Sequence, residues 1–586
     1  MVEILNADVI LYIIEFLEDR EKLNFLMTRK NFYKLKYYVR YKNLYSYKKI
    51  KNLPFVNKFT RLIYKFDKKL NFFGQAFILL DKKKQNIKKY RYQSIPKYKY
   101  QNIANNKQYI PSDISHLKFK YEFNQSIGKC IPNNVTHLKF DYKFNQSIEK
   151  CIPNNVTHLK FGYKFNQSIE KCIPNSVTHL KFGYKFNQSI EKCIPNSVTH
   201  LTFDGHFNQE IHDIIPNNVI SLTFNGGFNQ NVINYISNNV THLHLGWDFN
   251  QTIKNCIPNN TTHLYLGELF DQDIHNAIPS SMTHLTFSDN FDQSITDCRD
   301  ESLPALEGQG IPHGVKFLYF GRSFNQSIKN AIPDTVKYLH FGEDFDQPII
   351  YNNSSGINTY ERCIPDTVEY LELGYNFNSC IEKSILPNQG NFHNEHRVES
   401  LLPRSLIYLK IDGYIGENTW KYIPNSVKYL NFGDFFNQDL SGNEHVKLPR
   451  SLTHLSFGHN FNKCIKNFIP NTIAHLSFGG CFNQPIMNYI PDSITHLHFG
   501  EYFNQPIGNC ILNENDISKE TQYISYLPKN ITHLIFGNFF NQPIQNLIPD
   551  SVIYLCFGEY FDQPIEHIPK TVTHLVLNKN YKQKID

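Results

Sequence analysis

The stretch NNVTHLKFDYKFNQSIEKCIP (residues 133–153) is followed directly by NNVTHLKFGYKFNQSIEKCIP and then by NSVTHLKFGYKFNQSIEKCIP. Looser copies continue almost to the C-terminus. With the Phe of FNQ as register mark, the unit recurs every 21 residues from Phe123 through Phe144, Phe165 and Phe186 to Phe291. It returns at Phe324, Phe345, Phe377, Phe436, Phe461, Phe482, Phe503, Phe540 and Phe561, while Ile415 and Tyr581 stand in for it in two degenerate copies. The count is twenty coils. A catalytic site is built once, whereas a unit repeated this often specifies one layer of a stack. A propeller blade needs about 40 residues or more, so a 21-residue period leaves only a solenoid.

Within a coil the pattern is V-T-H-L-x-F-G-x-x-F-N-Q-x-I-x-x-x-I-P. The run Thr136 to Phe140 alternates, which predicts a short strand with Leu138 and Phe140 on one face and His137 and Lys139 on the other. Leu138, Phe140, Phe144, Ile148 and Ile152 are the expected core. One coil cannot bury them alone, and stacking buries them at about 1.5–3 kcal/mol per large side chain. Pro153 stops the ladder before the next turn, and Gly162, Gly183 and Gly246 are expected to supply a positive φ after the strand. The Asn of FNQ is Asn in fourteen coils and Asp in four (Asp271, Asp292, Asp346, Asp562). A polar residue kept beside a buried Phe needs a partner, and the neighbouring turn's backbone is the expected one.

At 586 residues the chain is too long for one compact core, as an extended array requires. Residues 1–110 hold 25 Lys and Arg against 8 Asp and Glu, and the remainder holds 35 against 45. A basic head on a mildly acidic body suits an acidic protein partner; nucleic acid is the weaker alternative, marked by steep salt dependence. No apolar run reaches the ~18 residues of a membrane span. The N-terminus lacks the basic region of a signal peptide. Of the 12 Cys, seven (Cys130, Cys151, Cys172, Cys193, Cys256, Cys363, Cys510) share one slot before the Ile-Pro or its equivalent. That repetition predicts small buried thiols in a reducing compartment, cytoplasm or nucleus, rather than a zinc site.

Two outward strand positions line the sheet face. The first is His in thirteen coils, including His116, His137, His158, His179, His200 and His454, and Tyr in five. Flat rings at strand spacing are expected to stack, and stacked imidazolium ions repel, so acid should weaken the array. The second position varies, as a recognition surface should: Lys118, Lys139, Lys160 and Lys181 form a positive stripe, followed by Thr202, Thr223, His244 and Tyr265. These lysines, with His137, His158 and His179, are the expected target-binding residues. The period lengthens at 291→324, 345→377, 377→415, 436→461 and 503→540, each time between the NQxI Ile and the next Ile/Leu-Pro. The inserted segments therefore share one side of the array and form a second candidate partner site.

The unit FNQPIMNYIPDSITHLHFG (482–500) resembles the FNIP repeat, itself similar to short leucine-rich repeats. The resemblance covers residues 110–586 and implies a right-handed, LRR-like solenoid with one short parallel strand per coil. With no room for a long helix, the convex side should consist of turns or 3₁₀ pieces. Residues 1–49 show apolar positions at helical spacing, and the run Leu5, Val9, Ile10, Ile13, Phe16, Leu17, then Leu23 after the acidic turn, resembles an F-box. Asn6 and Phe32 replace the usual Pro and Trp. An F-box paired with FNIP repeats resembles a family from amoeba-infecting giant viruses, the repeats also being common in social amoebae. The resemblance implies that these seven residues dock on the small acidic adaptor of a cullin–RING ubiquitin ligase, with the solenoid holding a target protein. Residues 50–109 are expected to form a basic cap or degenerate first repeats, and DKKKQNIKKYRY (81–92) a solvated lysine run. The sequence shows no nucleophile–base pair, phosphate loop, metal cluster or cofactor motif. A non-catalytic substrate receptor is the expectation; the alternative is a stand-alone interaction scaffold whose helical head only caps the array.

Overall fold

In a computed structural model, the residues described are 115–119, 121–212, 214–296, 310–352, 360–376, 401–416, 420–441, 448–511, 522–578 and 581, with Lys22, in a helix, and the backbone of 41–46, 59–65 and 76–81. The chain divides into two compact units, Met1–Gln251 with Pro258–Thr261, and Thr252–Ile257 with Thr262–Asp586.

In the first unit, the strands His116–Phe119, His137–Lys139, His158–Lys160, His179–Lys181, His200–Phe203, Ser221–Phe224 and His242–His244 pair parallel. Register is strict, with His opposite His and Leu opposite Leu through the first five. The period-two alternation sets this, because a one-residue slip would turn every buried Leu to solvent. At the N-terminal edge the strand Ala76–Asp81 runs antiparallel to His116–Phe119 and also to Phe59–Lys65, which pairs parallel with Tyr41–Ser46. The edge of the repeat sheet is thus covered by a strand running against the repeat direction, the usual protection of an open ladder.

In the second unit thirteen repeat strands, from His263–Tyr265 to His574–Val576, pair parallel in the same way. Two insertions are ordered as antiparallel hairpins, Ile350–Asn352 with Tyr360–Arg362, and Gly508–Ile511 with Gln522–Ser525. The 3₁₀ turn Trp420–Tyr422 lies between the strands Tyr408–Ile411 and Tyr429–Phe432, its indole packed edge-on against Phe432 and Phe468. Elsewhere among the described residues the connections are turns, because a 21-residue coil that spends three or four residues on a strand has no room for a helix. No helix of the described residues is long and apolar enough to cross a membrane.

The core is the expected one. Leu138, Phe140, Phe144 and Ile148 are at most 2% exposed, and Ile152 is 8% exposed. Phe140 stacks on Phe144 of its own coil at 4.1 Å and on Phe161 of the next at 5.7 Å, so two phenylalanines per coil form a double spine, with Leu245, Leu266, Leu373 and Ile411 taking the strand position in other coils. Ile415 is fully buried in the Phe slot, and Tyr581 stacks on Phe561 at 6.2 Å.

Two expectations need correction. Gly162, Gly183 and Gly246 do not have positive φ; among the described glycines only Gly128 and Gly205 do. Glycine is required at Gly162 and Gly183 by coil spacing, since a Cβ there would lie 1.9 and 1.8 Å from the carbonyl oxygen of the preceding coil. The left-handed residue is instead the one three before the proline, occupied by Lys150, Lys171 and Lys192 at φ 52–53° and by seven asparagines in other coils. The thiol slot also divides: Cys172, Cys193, Cys256 and Cys363 are buried and Cys130 and Cys151 half-buried, but Cys510 is exposed because its segment forms a hairpin strand. Burial raises the Cys130 thiol to about 11 and Cys363 to about 12, so these sulfurs are packing groups that stay protonated.

Candidate protein-interaction face

The Asn of FNQ turns one coil into the template for the next. Asn145 Oδ1 accepts from the Asn166 backbone N–H at 2.9 Å and from the Gln167 Nε2 at 3.0 Å, and Asn166 does the same for Asn187 and Gln188 at 3.0 Å each. The same pair of bonds recurs from Asn483 to Asn504 and Gln505. Since the side chain is used as an acceptor, Asp serves equally: Asp271 accepts from Asp292 N–H and Gln293, both at 3.0 Å. Asp292 bridges a 33-residue step to Asn325 and Gln326 in the same manner. Where Ile415–Gly416 replaces Phe–Asn, the Gln438 amide bonds the Ile415 backbone instead, at 3.2 and 2.9 Å. This ladder is structural; it holds the turns that frame the sheet face.

On that face the histidines stack. His116, His137, His158, His179 and His200 lie 4.0–4.2 Å apart, ring centre to ring centre, with interplanar angles of 8–12°. In the second unit His454, His475, His496 and His533 repeat this at 4.1–4.2 Å, and Phe317 takes a place on His284 at 4.2 Å. A partner not foreseen from the sequence orients most of these rings: the preceding threonine, replaced by Ser115 before His116, whereas His475 follows Ala474. Thr157 Oγ1 lies 2.9 Å from His158 Nδ1 and donates to the Thr136 carbonyl one coil back at 3.2 Å. With its single proton committed there, the hydroxyl accepts from Nδ1–H, which fixes the tautomer and leaves Nε2 as acceptor. Burial first, then the neighbouring imidazoles, hold His158, His179 and His475 below the usual imidazole value. These three rings are therefore neutral at pH 7, and the stack presents aromatic, weakly polar surface. It is a line, and among the described residues no three His, Cys, Asp or Glu side chains converge as a metal ion would need.

Beside the rings runs the variable column. Lys118, Lys139, Lys160 and Lys181 stand in register, but not as equals. Lys118 pairs with Asp141 at 2.8 Å and Lys181 with Asp204 at 2.9 Å. A cavity of about 530 Å³ opens beside the middle of this stripe, reaching from Lys139 and Lys160 past the stacked Tyr142, Tyr163 and Tyr184 to Trp247. In the second unit a trough of about 460 Å³ lies where the column shrinks to Ser456 and Ser477, walled by His454, His475 and His496. Farther up that unit, Glu372 receives the Tyr338 hydroxyl at 2.9 Å and His340 Nδ1 at 3.1 Å, with Lys410 at 3.9 Å. Burial pushes the Glu372 carboxyl up, but bonds from His340 and Tyr338 with the His340 and Lys410 charges outweigh it and hold the carboxyl below its ordinary value. The sequence placed Glu372 and Lys410 on the face; their pairing with a tyrosine and a histidine of neighbouring coils depended on three-dimensional register.

The seven expected adaptor-docking residues, Leu5, Val9, Ile10, Ile13, Phe16, Leu17 and Leu23, lie outside the described residues. So do most of the insertions 296–310 and 382–401 and the basic run 81–92.

The model of the FNIP Repeat family matches segments throughout the array: 105–185 in overlapping copies, 186–227, 228–269, 304–354, 360–392, 444–481, 482–512 and 524–560. Two Acanthamoeba polyphaga mimivirus proteins, both named as F-box and FNIP repeat-containing proteins, are 48% identical over 64 residues and 45% identical over 60. The aligned segments cover 11% and 10% of this chain and 22% and 12% of those relatives, so the chain spans about a fifth or less of their length. A crystal structure of CroV588, described as a novel circular LRR protein, is 37% identical, with a TM-score of 0.56 over 82% of this chain and 68% of that one. The parallel-strand solenoid is thus of the leucine-rich-repeat kind.

Proposed function

The chain belongs to the FNIP repeat family, and on that premise we propose that it is a non-catalytic substrate receptor of a cullin–RING ubiquitin ligase. The N-terminal head, through Leu5, Val9, Ile10, Ile13, Phe16, Leu17 and Leu23, would dock on the small acidic adaptor, and the sheet face would hold a target protein in the host cytoplasm. Holding two proteins on one chain raises the effective concentration of one at the other, which is all that a receptor must supply. The observation that carries the reading is the pairing of an F-box-like pattern with a repeat array, a combination for which two of the chain's mimivirus relatives are named. The conserved-chemistry positions of each coil, the Phe spine and the Asn ladder, are spent on structure, which leaves recognition to the variable column.

The test is binding of the full-length chain to the host ligase adaptor, with Ile13→Asp and Phe16→Asp as controls. Saturable binding lost in both variants supports the receptor. No binding by the folded wild-type chain refutes it and leaves a stand-alone interaction scaffold.

A further inference from the structure

The four lysines of the first unit are equivalent in sequence and unequal in structure. Lys118 and Lys181, at the two ends, are each neutralised by a carboxylate, Asp141 at 2.8 Å and Asp204 at 2.9 Å. Asn225 donates to the same Asp204 oxygen at 2.7 Å and so anchors that acid. Lys139 and Lys160 stand opposite one another on neighbouring parallel strands, about 4.8 Å apart along the stack, and neither has a carboxylate within ion-pair range among the described residues. Both line the 530 Å³ cavity, into which Gly162 and Gly183 project no side chain and whose wall also includes Asp141, Asp204 and, beside Trp247, Asp248. The tyrosine stack forms its wall, and Trp247, 58% exposed, stands at its far end.

We propose that this cavity is an anion pocket for one phosphorylated or acidic side chain on an extended segment of a target protein, clamped between Lys139 and Lys160, with Trp247 receiving an apolar neighbour of that residue. The proposal rests on the sheet face being the target-binding surface and names what that face selects. Two adjacent ammonium groups match a doubly charged headgroup better than a single carboxylate, because each contributes a charge-assisted hydrogen bond. Burial and the like charges of Lys139 and Lys181 hold the Lys160 amine below its ordinary value, and a bound anion relieves that repulsion. The flanking ion pairs limit the occupant. A nucleic-acid strand carries a charge about every 3.4 Å and would lay further phosphates against Asp141 and Asp204. A single anionic side chain seated between Lys139 and Lys160 meets the two unpaired amines, while Asp141 and Asp204 stay engaged with Lys118 and Lys181.

The experiment uses the full chain and three short fluorescent peptides, identical but for a central phosphoserine, glutamate or serine, with a labelled oligothymidine as a fourth probe. Fluorescence polarisation should rank phosphoserine above glutamate above serine, with the extremes separated on the order of tenfold. Lys139→Gln with Lys160→Gln should abolish the ranking. Asp204→Asn should tighten phosphopeptide binding several-fold by releasing Lys181. Circular dichroism confirms that the variants fold. Absence of ranking in the wild type, ranking that survives the double lysine substitution, or oligothymidine outcompeting the phosphopeptide overturns the proposal. If adaptor binding is intact while any of these results holds, the anion pocket fails and the receptor reading stands.

Discussion

The Asn ladder makes a sharp demand on substitution at Asn166. Its Oδ1 accepts two bonds from the next coil, from Asn187 N–H and Gln188 Nε2, both at 3.0 Å. Asn166→Ala removes both. Each is worth about 0.5–1.5 kcal/mol net, so the interface between the two coils should weaken by about 1–3 kcal/mol. The exposed surroundings of Asn187 let water replace part of the loss, which favours the lower half of that range. Asn166→Asp keeps the acceptor and should change stability by less than about 0.5 kcal/mol at pH 7, as Asp271 and Asp292 do in their own coils. Solenoid stability is a sum of coil and interface terms, so a global melt dilutes the effect and a local measurement is required. Native-state hydrogen exchange over residues 160–195 should show protection falling about thirtyfold for a 2 kcal/mol loss in Asn166→Ala and little change in Asn166→Asp. Adding Gln188→Ala to Asn166→Ala should cost less than the two separately, because they share one bond. If Asn166→Asp destabilises as much as Asn166→Ala, the donor half of the amide matters and the acceptor argument is wrong.

Other expectations follow from single positions. Lys171→Asn should stabilise the array by about 0.5–1 kcal/mol in urea titration, since Lys171 sits at φ 53° where other coils place Asn, whereas Lys171→Ile should destabilise it. Gly183→Ala should cost about 2 kcal/mol or more, because its Cβ would meet the Gly162 carbonyl at 1.8 Å; an unchanged melting temperature would contradict the close-packing account. The pH dependence has a fixed sign. The folded-state pKa values of His158, His179, His454, His475 and His496 lie below the unfolded imidazole value near 6.5. Their contribution is whole above that value and is lost as pH falls through the depressed folded values, the unfolded chain binding more protons. Melting temperature should therefore decline from pH 7 to pH 5, and His158→Phe, which copies the Phe317 stack on His284, should flatten that decline.

What the sequence revealed and what it withheld follow one line. A 21-residue period, a two-residue alternation and one proline per coil are local facts, and they sufficed to place Leu138, Phe140, Phe144, Ile148 and Ile152 in the core. The glycine rule failed for the reason that local reasoning fails here: the constraint on Gly183 comes from a carbonyl 21 residues away, through the stacking distance, and not from its own φ. The threonine before most of these histidines was equally readable as a β-former, and its hydroxyl acquires a role only when the preceding coil presents its carbonyl. Cys510 shares the thiol slot in sequence, but an insertion turned its segment into a hairpin and the slot ceased to face inward.

The lysine stripe carries that reasoning to the recognition face. Read one coil at a time, Lys118, Lys139, Lys160 and Lys181 are four copies of one residue. Stacked, each sees what its neighbours carry at the Gly slot after the strand, and that slot is Asp in two coils, Asp141 and Asp204, and Gly in the two between. Each Asp lies one coil beyond its lysine, so Lys118 reaches Asp141 and Lys181 reaches Asp204. The coils after Lys139 and Lys160 offer them Gly162 and Gly183 instead, and Lys139 and Lys160 stay unpaired. Two substitutions in a repeated unit are thus enough to convert a uniform positive stripe into a bounded pair of charges beside a cavity. A repeat array gains specificity in this way without altering its core, because the altered positions lie outside the Phe spine and the Asn ladder that hold the coils together. It follows that Asp204→Gly, which removes the partner of Lys181 beside Lys160, should lengthen the run of unpaired lysines to three and extend the phosphopeptide contact by one coil toward the C-terminus.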